Sequence, residues 1–282
     1  MIERYYNCKV LLYGEYTVLH GSDALAVPSS AFTGRWINRS SVDEELRQFA
    51  DYLIDRKDRL LHLDLQQFSW DIDRGLGFES NIPVGYGLGS SGAVTAAVFD
   101  RYAKEKEKRL EDLVVELSLM ESHFHGKSSG IDPLVSYLNM PILKTDSGLR
   151  ALEHIPEQIT EKFWLIDSGR SRSTARLVAA FNDRLKDEKV MAVVKDHWVP
   201  LVNDAIMFHL DNDVDNLLNT LHSIQQLVWV YFQDFIPKPH MSMWHSTLED
   251  PDAVVKLCGA GGGGMTLGFG RKPVEIDYLE VW

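Results

Sequence analysis

Two glycine-rich stretches and a few isolated charged residues are the parts of this sequence that could carry chemistry. The first stretch runs from Pro83 to Val98, PVGYGLGSSGAVTAAV, and passes from glycine and serine into a run of small residues that favours a helix. Glycine lets the backbone approach a ligand closely. A glycine-rich loop that leads into a helix N-terminus directs several N–H groups and the positive end of the helix dipole at one point. We therefore expect a phosphate-binding site at this loop.

Two nucleotide-binding patterns and one structural interpretation compete for the loop. Gly87, Gly89 and Gly92 fit G-x-G-x-x-G, but the preceding residues, GFESNIPVGY, lack the β-branched strand that this dinucleotide pattern requires. The Walker A pattern fails, because the Gly-Lys-Ser that begins at Gly126 has Glu121 where a glycine is needed. From this stretch alone, a purely structural interpretation, a glycine-rich turn before a core helix, remains an alternative.

Composition narrows the class of protein. The chain has 282 residues, 45% of them hydrophobic and 25% charged, which is enough for two ordinary domains or one large one. Its net charge of −12 argues against nucleic-acid binding. Its two cysteines, Cys8 and Cys258, are typical of a reducing cytoplasm. We expect a cytoplasmic protein without a signal peptide or a membrane span, because the N-terminus lacks the signal pattern and no apolar run approaches 18 residues.

Charged residues at four places need an explanation. Lys9 and Glu15 lie in and just after the apolar stretch NCKVLLY, where they are either outward-facing surface charges or buried, partnered groups. Glu121 is near the C-terminal end of a helical pattern over residues 110–124, where the helix dipole disfavours a carboxylate and calls for a cation. Asp132 precedes Pro133 at the start of a short helix and is either an N-cap or a chemical group.

Apolar spacing predicts an α+β fold with two layers. A capping box from Ser41 to Glu44 predicts the start of a helix, and the alternation over residues 61–72 predicts a strand. The pattern changes at residues 148–160, so we predict domains at 1–150 and 151–282. The second half is predicted to contain a strand at EKFWLIDSG, a helix at STARLVAAFNDRL, helices over 186–209 and 214–233, strands on either side of the glycines at 259–264, and a final strand at VEIDYLEVW.

Together these features match the requirements of phosphoryl transfer. That reaction needs N–H donors for the phosphates, a carboxylate and a hydroxyl that can hold Mg²⁺, a group that orients the attacking alcohol, and a cation for the developing charge. The two glycine-rich stretches, the serines Ser90 and Ser91 and the isolated charges supply each of these parts.

Three stretches in order, KVLLYGEYTVLHG, PVGYGLGSSGA and KLCGAGGGG, resemble the motifs of the GHMP small-molecule kinases. The resemblance extends from the seventh residue to the last quarter of the chain. It implies a two-domain α+β fold with mixed sheets packed with helices, an active site in the cleft between the domains, and ATP and Mg²⁺ as cofactors. It also implies a small-molecule alcohol as the substrate.

The resemblance assigns roles residue by residue. Asp132 would be the catalytic aspartate that orients the acceptor hydroxyl, and Lys9 would stabilise the transferring charge. Ser91 and Glu121 would hold Mg²⁺. The remaining implied contacts fall in two sets: ATP-binding residues Gly85, Gly87, Leu88, Gly89, Ser90, Ser91, Gly261 and Gly262, and acceptor-pocket residues Glu15, Tyr16, His20, Gly259 and Ala260.

The segments HGKSSGIDPLVS and SGRSRSTARLVAAF are most similar to the members of the family that phosphorylate mevalonate. Tyr16 departs from those members, which usually have His there, and is shared with the members that act on phosphomevalonate. Gly92 replaces their usual alanine. The acceptor is therefore predicted to be mevalonate, with phosphomevalonate, another sugar or amino-acid alcohol, or a non-catalytic nucleotide-binding role as alternatives. The oligomeric state, including a homodimer, stays open.

Overall fold

The chain folds as α+β and divides into two compact units. The computed structural model describes residues 4–60, 62–160, 162–273 and 278–281. Unit 1 consists of Met1–Lys9, Pro28–Pro83 and Gly89–Met140, whereas unit 2 consists of Val10–Val27, Val84–Leu88 and Pro141–Trp282. The division into domains 1–150 and 151–282 stays a prediction. In unit 2 the long C-terminal segment begins at Pro141 and is joined by two short segments from the first half of the chain.

The secondary structure alternates irregularly along the chain. The strands are β1 (Tyr5–Tyr13), β2 (Ala24–Asn38), β3 (Leu76–Ser80), β4 (Ile142–Thr145), β5 (Gly148–Ala151), β6 (Phe163–Asp167), β7 (Ala253–Leu257), β8 (Met265–Gly270) and β9 (Leu279–Glu280). The helices are α1 (Glu44–Ile54), α2 (Leu65–Asp73), α3 (Ser90–Tyr102), α4 (Leu110–His125), α5 (Ile131–Leu138), α6 (Glu157–Thr160), α7 (Thr174–Arg184), α8 (Glu188–Val193), α9 (Val199–Leu210), α10 (Val214–Tyr231) and α11 (Met241–Ser246). A π-helical segment, Val194–Trp198, joins α8 to α9.

Unit 1 contains helices α1 to α5 and an antiparallel strand pair. The end of β2 pairs with β3, with Gly34 opposite Ser80 and Asn38 opposite Leu76. Helix α3 packs against both α4 and α5. Its buried positions include Ala93, Ala96 and Ala97, whose small side chains allow the neighbouring helices to approach closely. This close packing fixes the helix that follows the first glycine-rich loop.

Unit 2 contains two antiparallel arrangements of strands. The first residues of β2 pair with β4, with Ala24 opposite Lys144, and β4 pairs with β5. A second sheet has the strand order β7–β8–β6–β9. The second glycine-rich stretch connects β7 to β8, whose register places Leu257 opposite Thr266. Helix α10 packs against both α9 and β7.

The α+β fold is confirmed, but two details of the sequence prediction are wrong. Residues 65–73 form α2 rather than continuing a strand, because Leu65, Phe68 and Ile72 share one buried helical face and the Asp64 carboxylate accepts the N–H of Gln67 at the helix start. Leu61, the first residue of that predicted strand, lies outside the described residues.

The other correction concerns a helix cap. Asp43, not Ser41, caps α1, since its carboxylate accepts the N–H of Leu46. The strand pairs whose register is described are antiparallel. Strand β1 pairs with β2 in addition. Of the predicted final strand, residues 274–277 and 282 lie outside the described part, and β9 occupies Leu279–Glu280. In the described part of the chain, no helix combines the length and the apolarity that a membrane crossing needs.

A histidine is fully buried in unit 2. The Nδ1 atom of His209 lies 2.8 Å from the hydroxyl of Tyr13, and its ring stacks on Phe163 with the centroids 5.7 Å apart. Burial lowers the pKa of His209 from 6.5 to about 4. Below pH 6.5 the unfolded chain therefore takes up a proton that the folded chain does not bind, and folding weakens as the pH falls towards 4.

Replacing His209 by Asn should make the free energy of unfolding less dependent on pH between 6.5 and 4. The Asn carbonyl can still accept a hydrogen bond from Tyr13, whereas the titratable group is gone. The His209 contribution, on the order of 3 kcal/mol between pH 6.5 and 4 for the shift given above, is expected to disappear from the pH dependence of unfolding. Urea unfolding at several pH values measures it. Parallel stability profiles for the two proteins would contradict the buried neutral state.

Candidate active site

The first glycine-rich loop leads directly into α3. Gly85, Gly87 and Gly89 all have positive φ, between 76° and 80°, which side-chain-bearing residues rarely adopt. Gly89 is the N-cap residue of α3, so the first N–H groups of the helix follow at Ser90 and Ser91. The predicted loop and helix are thus present. The arrangement supplies backbone donors for an anion at the start of a 13-residue helix.

In unit 1 an ion pair lies beside Gly89. The ammonium of Lys9, on β1, is 2.9 Å from the Oδ1 atom of Asp132, the second residue of α5. The Lys9 side chain is 10% exposed and that of Asp132 is 30% exposed, so the lysine is a buried, partnered group and the aspartate remains accessible. A Cβ atom built on Gly89 would lie 3.4 Å from the Cβ atoms of both residues. The loop therefore borders the ion pair.

The N-cap of α5 is Gly130 rather than Asp132. Asp132 is thus not needed to cap the helix, and its carboxylate is directed to Lys9. Helix α5 is held against α3 at Gly92, where a Cβ atom would lie 2.8 Å from the carbonyl carbon of Asp132 and 2.9 Å from the nitrogen of Pro133. Glycine at this position lets the two helices meet without a side chain between them.

Glu121 is a buried carboxylate on α4, 4% exposed. The hydroxyl of Ser91 donates to its Oε1 atom at 2.9 Å, and the hydroxyl of Ser128 donates to its Oε2 atom. Burial, followed by the negative charge of Asp132, raises the pKa of Glu121 to about 7. The two hydroxyls offset this only in part. A cation close to Glu121 would favour its charged form.

His125 and Ser128 are site residues that the sequence did not single out. The Nε2 atom of His125, the last residue of α4, is 2.9 Å from the Ser91 hydroxyl oxygen. With the Ser91 proton donated to Glu121, this contact requires a proton on Nε2 of His125 that is donated to Ser91. The spacing of four residues between Glu121 and His125 places both on one helical face, which is the signal that could have identified His125.

The donor set in unit 1 fits a magnesium ion. Among the described residues no cluster of three His, Cys, Asp or Glu side chains has metal-binding geometry. Magnesium, however, is usually bound by one or two carboxylates together with substrate phosphates, and it prefers oxygen ligands. The Glu121 carboxylate and the Ser91 hydroxyl offer such oxygens, and the raised pKa of Glu121 reports a deficit of positive charge there.

In unit 2 the residues after β1 form a second cluster. The carboxylate of Glu15 and the ammonium of Lys256, on β7, form an ion pair in which the side chains are 5% and 4% exposed. The hydroxyl of Tyr16 donates to the carbonyl oxygen of Ala260 at 2.6 Å. His20 is half-buried, with its ring centroid 5.8 Å from that of Phe181. Burial, and secondarily the charge of Lys195, lowers the pKa of His20.

The resemblance placed Glu15 in the acceptor pocket, and its described partner is Lys256. No spacing rule indicates this pairing, because 241 positions separate the two residues. After His125 and Ser128, Lys256 is the third residue that sequence reasoning missed.

The second glycine-rich stretch is held by several backbone contacts in unit 2. The N–H of Gly262 donates to the carbonyl of Phe235, and the N–H of Gly264 donates to that of Arg170, both at 2.6 Å. Gly259, Gly261, Gly262 and Gly264 all have φ between 68° and 72°. Such a run of left-handed residues turns successive N–H groups into a concave surface that suits an anion.

Arg172 lies against both glycine-rich stretches of unit 2. Its backbone N–H donates to the Gly85 carbonyl at 3.2 Å, and its guanidinium is 3.4 Å from the carbonyl oxygen of Cys258. A Cβ atom on Gly87 or on Gly259 would lie 2.1 Å or 2.7 Å from Nη2 of Arg172. A side chain at either position would displace the guanidinium from its present place, whereas glycine leaves room for it.

Each unit thus brings together part of the predicted set. Unit 1 gathers Lys9, Asp132, Glu121 and Ser91 around Gly89, and unit 2 gathers Glu15, Tyr16 and the loop at 259–264.

Residues 50–139 match the family model of the GHMP kinases N terminal domain. This segment carries the glycine-rich loop, Glu121 and Asp132. The resemblance of the sequence to the GHMP kinases is thereby confirmed over this segment. With the curated relatives below, it supports an ATP-dependent small-molecule kinase, as the three ordered motifs implied.

Individual relatives point to the mevalonate branch of the GHMP kinases. The chain is 26% identical to the mevalonate kinase of Archaeoglobus fulgidus, with 96% of this chain and 94% of the relative covered. Its fold resembles that of the L. major mevalonate kinase solved with R-mevalonate, at a TM-score of 0.67 and 18% identity over 96% of this chain and 88% of the other. The Streptococcus pneumoniae phosphomevalonate kinase, solved with phosphomevalonate and AMPPNP, has a TM-score of 0.65 and 14% identity over 97% and 93% of the two chains.

The Lys9–Asp132 pair leads to a first prediction about the kinase reaction. Asp132→Asn keeps the shape of the side chain but removes the charge to which the family resemblance assigns the orientation of an acceptor hydroxyl. Turnover should fall about 100-fold or more, the scale of a positioned acid–base group, while ATP binding stays nearly unchanged. ADP release and AMPPNP binding measure the two effects. Asp146→Asn, at an exposed turn, is the matched control. Near-normal turnover in Asp132→Asn would exclude the assigned role.

Proposed function

We propose that this GHMP kinase transfers the γ-phosphoryl group of ATP to the primary hydroxyl of mevalonate, forming 5-phosphomevalonate and ADP. The observation that carries the proposal is the accessible Asp132 carboxylate, bonded to the Lys9 ammonium at 2.9 Å and bordered by Gly89 of the phosphate-binding loop. A protein that only bound nucleotide would have no use for an aspartate so placed.

Asp132 orients the acceptor. Its accessible carboxylate accepts a hydrogen bond from the substrate hydroxyl and receives that proton as the new P–O bond forms and the bond to ADP breaks. A free aspartate has a pKa near ~3.9 and is a weak base for an alcohol, so orientation and electrostatics contribute more than prior removal of the proton. The Lys9 ammonium stabilises the negative charge that develops during transfer.

Glu121 and Ser91 would hold Mg²⁺ in the same unit. When bound, the ion neutralises charge on the ATP phosphates. Ser128 and His125 orient these two ligands, Ser128 by donating to Glu121 and His125 by contacting Ser91. Ser90 is the alternative hydroxyl if Ser91 is not the ligand.

Backbone N–H groups bind the ATP phosphates in this proposal. They come from Gly85 to Ser91 in the first glycine-rich stretch and from Gly261 in the second. The N–H of Gly262, which the resemblance also assigned to ATP, already donates to the carbonyl of Phe235. Glu15, Tyr16, His20, Gly259 and Ala260 belong to the acceptor side, directly or through the contacts that hold them. A cytoplasmic location and a homodimeric assembly remain predictions.

Removal of the Glu121 charge should change the magnesium requirement. Glu121→Gln has nearly the same shape but lacks one charged oxygen ligand, and magnesium is held by few protein carboxylates. The magnesium concentration for half-maximal ADP release is expected to rise, with a smaller change at saturating magnesium. Glu111→Gln, an exposed residue in the first turn of the same helix, is the control. Overlapping magnesium titrations for Glu121→Gln and the wild type would show that Glu121 holds no metal.

The alternative acceptor is phosphomevalonate, which Tyr16 favours. A second phosphate adds about −1.5 to −2 charges near neutral pH, by analogy with phosphorylated side chains, and would need cations beyond those that bind ATP. Arg170, Arg172 and Lys127 are the basic residues near the motifs. The net charge of −12 opposes a second anionic group, and HGKSSGID favours mevalonate.

Mevalonate is therefore expected to give a higher kcat/KM than 5-phosphomevalonate. ADP release with each acceptor, at the same ATP and magnesium concentrations, measures the order. The reverse order would make Tyr16 the better guide to the acceptor. A third result, no acceptor-dependent ADP release in a panel of small alcohols, would favour the non-catalytic nucleotide-binding role.

A further inference from the structure

Tyr16 has an unusual backbone conformation for a residue with a side chain. Its φ of 62° and ψ of −45° lie outside the regions that tyrosine prefers. Such a conformation is strained, and it persists only when the surroundings of the residue fix it. The contacts of Tyr16 therefore indicate what this conformation achieves.

Aromatic packing fixes the ring of Tyr16. The ring stacks on that of Phe181 with the centroids 4.3 Å apart and the planes 19° from parallel. The ring of Phe235 meets it nearly edge-on at 5.4 Å. Tyr16 is 6% exposed, so the ring belongs to the core of unit 2 and has little freedom to move. The hydroxyl at its end is held in place accordingly.

The Tyr16 hydroxyl donates to the carbonyl oxygen of Ala260 at 2.6 Å, in a buried hydrogen bond. The peptide group is planar and trans, so the C=O of Ala260 and the N–H of Gly261 point in opposite directions. Fixing that carbonyl therefore also fixes the N–H of Gly261, which is directed away from Tyr16. The following residue is also held, since the N–H of Gly262 donates to the carbonyl of Phe235 at 2.6 Å.

The residue before Tyr16 supports the same loop. Glu15 forms the buried ion pair with Lys256 and accepts a hydrogen bond from the backbone of Gly259. Lys256 also donates to the carbonyl of Leu257 at 2.9 Å. Two adjacent residues of the first motif thus hold the backbone from the end of β7 to Ala260.

We propose that Tyr16 is a positioning residue that aims the N–H of Gly261 at a phosphate group of the bound nucleotide. This inference rests on the proposed function, in which Gly261 binds ATP phosphate. It makes Tyr16 a determinant of phosphate affinity, acting through the Ala260–Gly261 peptide. The substrate need not touch the Tyr16 ring, although the sequence placed Tyr16 in the acceptor pocket.

Tyr16→Phe tests the proposal, because it removes the hydroxyl and keeps the stacked ring. The affinity for AMPPNP, measured by calorimetry, should fall about two- to tenfold, the range expected for one net hydrogen bond. The affinity for adenosine, which has no phosphate, should stay the same. Steady-state kinetics should show a matching rise in the KM for ATP with a smaller change in kcat.

Tyr102→Phe is the matched control, since it removes a hydroxyl that donates to Asp71 at 2.8 Å in unit 1. It should leave the affinities for AMPPNP and adenosine unchanged. Thermal unfolding of both variants shows whether they fold. Unchanged AMPPNP affinity in Tyr16→Phe, or an equal loss of adenosine affinity, would overturn the proposal, as would a wild type that does not bind AMPPNP. A wild type that binds AMPPNP but does not phosphorylate mevalonate would refute the proposed acceptor alone.

Discussion

The candidate site in unit 1 depends on a shortage of positive charge around two carboxylates. Burial, followed by the charge of Asp132, raises the pKa of Glu121, and the opposing charge of Lys9, whose ammonium is bonded to Asp132, offsets this only in part. Hydroxyl groups cover Glu121 but carry no net charge. Burying a charge without a counter-charge costs free energy, so the folded chain is prepared for a cation. Strand β1 and helices α3, α4 and α5 each contribute one residue to this balance.

The sequence was a good guide where the structure depends on local features. The glycines before α3, the helices α3 and α4 and the strand at β6 follow from composition and apolar spacing, and the structure contains all of them. The ordered motifs indicated the family whose model matches residues 50–139 before any packing was known. Lys9 was left open between a surface charge and a buried group, because burial depends on what the rest of the chain places over a residue. Only the described contact with Asp132 decided that question.

Long-range pairing and competing local signals account for the residues and elements that the sequence did not predict correctly. The partner of Glu15 is 241 residues away, and no spacing rule connects such positions. Residues 61–72 carry both a two-residue alternation at their start and a helical face further on. The Asp64 cap and the burial of Phe68 favoured the helix. The motif that contains Tyr16 led to its assignment to the acceptor pocket. Its backbone conformation and its hydrogen bond to Ala260 could not be predicted from the sequence.

Gly92 has a consequence for how this chain can vary. A methyl group at this position would meet the backbone of Asp132 and Pro133 at less than van der Waals distance. Alanine would therefore push α3 and α5 apart and displace Asp132. The favourable helix propensity of alanine would not compensate for that displacement. A larger residue at position 92 is thus tolerated only together with a change in how α5 packs on α3.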